Sequence, residues 1–235
     1  MKTDGTLEKT VVTIGCVKVK QKLLLNLRVG FAISAELMSV FVELLRRRNS
    51  EIAQAYASRF TDEPNLPPRK TSVFCDPSNV LQLLSHPNTT DKCSIFGAQP
   101  TDIFRDIFAL YLPFCNNDCW SLLVIFTEQR KIYYVNPMVP NFSPFSADEL
   151  SYFENAVNSF FFSQNILLPN DSRFTCEEYP YQYYETASEK VDTGVYLFLI
   201  MYFICETCPI SFQQQEISGF RTAITHWIIS ARLPI

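Results

Sequence analysis

A few side chains in this sequence have the chemistry to act on a substrate, and their spacing decides what they can do. Thr193 stands in the step Asp192-Thr193-Gly194, directly before the apolar run VYLFLIMYFI (195–204). A hydroxyl there is a nucleophile only if a base takes its proton. The chain has two histidines, and neither is nearby in sequence: His86 precedes Pro87, and His226 falls in the last expected helix. Lys190 is the nearest amine. Without a base, Asp192-Thr193 reads as a helix N-cap, its carboxylate or hydroxyl accepting from free backbone amides. Cys119, beside Trp120, is a second nucleophilic atom with no base next to it. Cys205-Glu206-Thr207-Cys208 has the spacing of a redox pair or of half a zinc site, which Cys115, Cys119 or another pair would have to complete. Its place at a helix end before Pro209 suits two structural thiols better. The tyrosines of YPYQYY (179–184) pack around a cleft or form a protein-recognition surface, since tyrosine is enriched at binding hot spots.

These residues need elements to position them. Ser34 can accept from the first free amides of a helix, Glu36 suits its positive end, and Leu37, Phe41, Leu44 and Leu45 recur at helical spacing as far as about Ala57. Residues 11–28 alternate apolar and basic positions, with Val17, Val19, Leu23 and Leu25 apolar, and read as holding a short strand. TDEPNLPPRKTS (61–72), with three prolines, reads as a loop, a short helix follows at Pro77–Leu84, and 85–98 reads as irregular. IFALYLPF (107–114) and WSLLVIF (120–126) are continuous apolar runs, as in strands covered on both faces, and KIYYVNP (131–137) follows them. Ser146 starts a helix whose stripe is Leu150, Phe153, Val157, Phe160 and Phe161. RFTCEEYPY (173–181) reads as a strand, and helices over 192–206 and 212–230 close the chain. The fold class is α+β, with helices flanking a few central strands and the most buried helix starting at Thr193. Residues 1–10 read as a flexible tail and 11–235 as a single domain.

With 235 residues, 47 % of them hydrophobic and 19 % charged, the chain can fill a sizeable core. Its net charge of −4 gives no global field for nucleic acid, and Arg46-Arg47-Arg48 reads as a solvated helix end. The apolar run at 193–204 is too short to span a bilayer, which takes about 20 residues. The charged start MKTDGTLEKTVV lacks a signal peptide's apolar stretch. A nuclear or cytoplasmic protein, not secreted, with free thiols is expected.

The order of these elements resembles the SUMO-specific and related ubiquitin-like-modifier cysteine proteases of the papain-like clan, over about residues 20–230. LLLNLRVGFAISAELMSVFVELL resembles the family's opening Trp-Leu-Asn-Asp motif and helix. IFALYLPFCNNDCWSLLVIF resembles the strands that supply the catalytic histidine, KIYYVNPM the strand ending in the catalytic aspartate, and TASEKVDTGVYLFLI the oxyanion glutamine followed by Asp-Cys-Gly. The resemblance implies a central mixed sheet flanked by helices. In such enzymes a helix N-terminus stabilises the thiolate, histidine moves the proton, aspartate orients it, and glutamine stabilises the oxyanion by about 3 kcal/mol.

At each of those positions this sequence differs. Cys119 stands at the histidine position, Asn136 at the aspartate, Thr193 at the nucleophile and Ala187 at the glutamine. The tunnel tryptophan corresponds to Ala32, with Phe31 beside it as a partial substitute, and the following acidic residue to Ala35. Trp120 retains the histidine-side tryptophan. The resemblance therefore implies a pseudoprotease without cofactor or metal, acting as a protein-interaction module or scaffold subunit of an intracellular complex. Its expected partners are proteins, among them a ubiquitin-like modifier, and neither nucleic acid nor membrane. The binding residues expected are Phe31, Trp120, Tyr181, Tyr183 and Tyr184. The alternatives are a non-catalytic modifier binder and a residual peptidase with a rearranged site.

Overall fold

The structure is a computed structural model that describes residues 7–62, 71–91, 95, 107–138, 146–164, 173–178, 187–206 and 208–233. Strands β1 (Thr10–Ile14) and β2 (Val17–Lys20) form an antiparallel hairpin, followed by α1 (Gln21–Leu24) and a 3-10 turn at Leu25–Leu27. The end of the tail expected over 1–10 is held down. Lys9 O accepts from Gln21 N at 3.0 Å, and the Glu8 carboxylate meets Lys20 and Lys22 at 2.7 Å each.

Helix α2 (Ala35–Asp62) starts where Ser34 Oγ accepts from Leu37 N at 3.2 Å, and it runs past the expected Ala57. The loop expected over 61–72 is shorter at both ends, because Thr71–Phe74 form β3. This short edge strand has no strong alternation of its own; Phe74 stacks on Tyr111 of the next strand, with ring centroids 4.6 Å apart. Helix α3 (Pro77–Ser85) is capped by Asp76, which accepts from Ser78 N at 3.0 Å.

The core of the fold is a five-stranded mixed sheet in the order β3-β4-β5-β6-β7. β4 (Ile107–Asn116), β5 (Cys119–Phe126) and β6 (Lys131–Val135) form an antiparallel centre, and β3 and β7 (Thr175–Glu178) lie parallel to their neighbours at the edges. Residues 179–181 of the last expected strand lie outside the described residues. The continuous apolar runs of β4 and β5 follow from burial on both faces. Leu122, Val124 and Phe126 join one core with α2, α5 (Thr193–Cys205) and α6 (Ile217–Ser230). Leu123 and Ile125 join the other with α3 and α4 (Ala147–Ser163). Ser146 starts α4 through a reciprocal capping box with Glu149.

Helix side chains bond backbone groups at both edges of the sheet. Arg46 Nε and Nη2 donate to Phe74 O at 2.9 and 2.6 Å, and Asn49 Nδ2 donates to Ser72 O at 3.0 Å. At the other edge, Glu154 accepts from Cys176 N of β7 at 3.2 Å, and Asn158 accepts from Phe174 N, just before the strand, at 2.9 Å. Eleven of the thirteen residues of α5 are buried, as expected for a helix apolar on every side. No helix among the described residues is long and apolar enough to cross a membrane.

Candidate functional site

The tip of the β4–β5 hairpin is a two-residue turn. Asn117 and Asp118 adopt φ of 50° and 62°, a left-handed conformation that these residue types tolerate. The tight turn pairs Cys115 with Trp120 and Asn116 with Cys119, so β5 begins with Cys119 and Trp120 beside the start of α5. There, Thr193 is fully buried. Its hydroxyl donates to Lys190 O at 2.7 Å and accepts from Trp120 N at 3.0 Å. The indole Nε1 of Trp120 in turn donates to Ile33 O at 2.8 Å. Gly194 allows this packing: a Cβ there would lie 2.5 Å from Ile33 Cβ and 3.0 Å from Trp120 Cδ1.

Asp192 and Thr193 therefore do not cap α5 through their side chains, contrary to the sequence expectation. A 3-10 turn at Lys190–Asp192 leads into the helix, and Asp192 already has helical backbone angles, so its carboxylate points elsewhere. Asp192 Oδ1 accepts from Arg221 Nη2 at 2.7 Å and Nε at 3.3 Å, and Oδ2 accepts from Gln214 Nε2 at 2.9 Å. The Arg221 guanidinium, only 2 % exposed, also donates to the carbonyls of Asn26, Arg28, Phe31 and Val191 at 2.8–3.3 Å. One arginine on α6 thus fastens the segment 26–31 and the start of α5 together. Gln214 Oε1 adds bonds from Tyr196 OH at 2.5 Å and Ser188 N at 3.2 Å.

Asn136 and Ala187 meet at the end of β6. Asn136 Oδ1 accepts from Met138 N at 3.0 Å, its Nδ2 donates to Tyr134 OH at 3.4 Å, and Ala187 N donates to Pro137 O at 2.9 Å. Burial pushes the Tyr134 phenol up, against hydrogen bonds to Ser121 and Asn136. Burial likewise raises the Cys115 thiol, helped by the Asp118 charge. Away from the site, burial pushes Cys75 and Cys176 up to about 12 each. These thiols are held protonated, the opposite of an activated thiolate.

The structure joins Trp120, the neighbour of Cys119, to Thr193, and joins Ala187 to Pro137, the neighbour of Asn136. Trp120 is buried, whereas Phe31 is 52 % exposed. Tyr181, Tyr183 and Tyr184 lie outside the described residues. Cys205 is buried at the end of α5, and Cys208 is exposed. His86 ends α3, on the far face of the sheet from α5. His226 lies five residues past Arg221 on α6, roughly 7.5 Å further along the axis. Sequence reasoning missed Arg221, Gln214 and Ile33. Arg221 had a signal: it interrupts the stripe Ile217, Ile224 and Ile228, and a charge in an apolar stripe needs buried partners.

No family model matches the sequence, and no curated protein sequence matches it. Solved structures do match. The C-terminal Ulp1 protease domain in complex with Smt3, the yeast ortholog of SUMO, aligns at a TM-score of 0.71 and 12 % identity, covering 95 % of this chain and 88 % of that one. The Chaetomium thermophilum Ulp1-like SUMO protease catalytic domain aligns at 0.70 and 12 %, covering 99 % and 85 %. A de-sumoylating protease aligns at 0.62 and 10 %, covering 91 % and 86 %. Identity this low speaks to architecture alone, and on that evidence of shape the chain has the fold of the Ulp1-like SUMO proteases.

Proposed function

We propose that this chain is a catalytically inactive protein of the SUMO-protease fold that serves as a protein-interaction module, a subunit of an intracellular complex. The observation that supports this reading most is the state of Thr193. Its one proton is donated to Lys190 O, its oxygen accepts from Trp120 N, and the residue is buried. To attack a carbonyl, the hydroxyl would have to break both bonds and find a base. Neither histidine is among its hydrogen-bond partners. Cys119, the neighbour of Trp120, has neither histidine among its hydrogen-bond partners within the described residues.

The test is turnover of a SUMO–fluorophore fusion at high protein concentration. The expected signal equals the buffer blank and is unchanged in Thr193→Ala and Cys119→Ala. Turnover abolished by either substitution would establish a hydrolase instead.

One observation favours a second reading, a non-catalytic binder of a ubiquitin-like modifier. The Ulp1 domain aligned above is bound to Smt3, and the Phe31 ring of this chain stands exposed on the segment that Arg221 anchors. Calorimetric titration with Smt3 separates the two: saturable heat supports the modifier binder, and none supports a partner of another kind.

A further inference from the structure

A groove of about 410 Å³ runs between α1, the turn that follows it, and α6. Leu24, Leu27, Arg28 and Val29 line it from one side, and Thr222 and His226 from α6. None of its lining residues is acidic. The Arg221 guanidinium also lines it, but its donors are engaged by Asp192 and four backbone carbonyls, which leaves Arg28 as the guanidinium to meet an incoming carboxylate. Val29 in its lining is 70 % exposed, and two further apolar residues on the same two segments are exposed, Phe31 at 52 % and Ile229, one turn along α6 from Thr225, at 49 %. Exposed apolar side chains on both segments that form the groove suit a peptide better than a compact ligand.

Charge selects the kind of peptide. Residues 7–30 carry five basic side chains and one acidic one, Glu8, which Lys20 and Lys22 share, for a net +4 in a chain whose total is −4. The hairpin, α1 and Arg28 are therefore the basic pole of an otherwise acidic molecule. Phe162 on α4 is exposed too, at 86 %, but it has no basic pole beside it, and Thr193 is sealed. We propose that this groove docks an acidic peptide segment of a partner protein, with an apolar side chain inserted over Leu24 and Leu27 and carboxylates meeting Arg28. This rests on the reading of the chain as an interaction module, and it names the surface and the chemistry of the partner.

The test is selection of a displayed library of random twelve-residue peptides on the full chain, followed by anisotropy titration of the enriched sequences. Enrichment of Asp and Glu flanking a Leu, Ile or Phe is expected. Thr222→Trp, which fills the groove from an exposed position, should weaken binding at least tenfold. Arg28→Glu should weaken it severalfold and shift the selection toward Lys and Arg. Unchanged thermal unfolding shows that both variants fold. The proposal is overturned if no sequences are enriched, if those enriched carry no acidic bias, or if they bind Thr222→Trp as well as the parent. It is also overturned if sedimentation shows a dimer of this chain that Thr222→Trp dissolves, because the occupant is then a second copy. The selection reads binding and the SUMO–fluorophore assay reads chemistry, so either result can fail alone.

Discussion

The start of α5 and the groove beside α6 lie on the same side of the sheet and share Arg221, yet they are built in opposite ways. At the start of α5 polar groups are buried and paired: Thr193 with Trp120 and Lys190, Asp192 with Arg221 and Gln214, the indole with Ile33. At the groove apolar groups are left in water, Val29 most of all. Buried polar groups without partners are costly, so the first arrangement is what a structural joint requires. Exposed apolar surface costs solubility and gains nothing in the isolated chain, so the second is what a contact surface requires. The two regions teach that the start of α5 is built to hold the molecule together.

The largest expected effect is at the shared residue. Arg221→Met leaves Asp192 partly buried without its cation and should destabilise by about 3–5 kcal/mol in urea unfolding. The double variant Arg221→Met with Asp192→Leu should be less damaged than the single one, since no unpaired charge remains. A loss below about 1 kcal/mol for Arg221→Met, within the range of an exposed pair, would break the comparison.

Next in size are the two residues that close the joint. Gly194→Ala forces a methyl to within 2.5 Å of Ile33 Cβ and should cost about 1–3 kcal/mol, part of which Ile33→Ala should recover in the double variant. Thr193→Val keeps the shape but leaves Trp120 N–H without an acceptor, at a cost of about 1–3 kcal/mol, while Thr193→Ser stays near the parent.

Two smaller effects sharpen the contrast. Burial raises the Asp76 carboxyl, but bonds from Ser78 and Ser39 and the Arg46 charge outweigh it and hold it below its ordinary value. A lowered folded pKa means this contribution is present above the unfolded value near 4 and is lost as pH falls below it. Urea titrations from pH 6 to pH 3 should lose about 1 kcal/mol less in Asp76→Asn than in the parent, the worth of a helix cap. The smallest change is Val29→Ser in the groove, expected within about 0.5 kcal/mol of the parent in stability because the side chain is already in water.

The long periodic elements were legible in the sequence. The Ser146 capping box, the apolar runs of β4 and β5, and the uniformly apolar α5 all carry local signals, and each lies close to where it was expected. Element order, read through the resemblance, supplied the fold. β3 was not legible, since its four residues owe their strand to Tyr111, Arg46 and Asn49 from distant segments. The role of Asp192-Thr193 was misread for a related reason. Its residue types suit a cap, but the partners that decide between cap and joint, Trp120, Gln214 and Arg221, are 22 to 73 positions away. The groove left no sequence signal beyond the basic balance of the first thirty residues, because its walls come from opposite ends of the chain.

The most direct test of the joint is alkylation of Thr193→Cys by iodoacetamide in the folded protein, mapped by mass spectrometry of its peptides. Exposed Cys16 and Cys208 and buried Cys75 serve as internal references. A sealed joint predicts that the new thiol reacts as slowly as Cys75 and only as the chain unfolds. Reaction as fast as that of Cys208 would show an open, reachable centre at the start of α5, and would contradict the account.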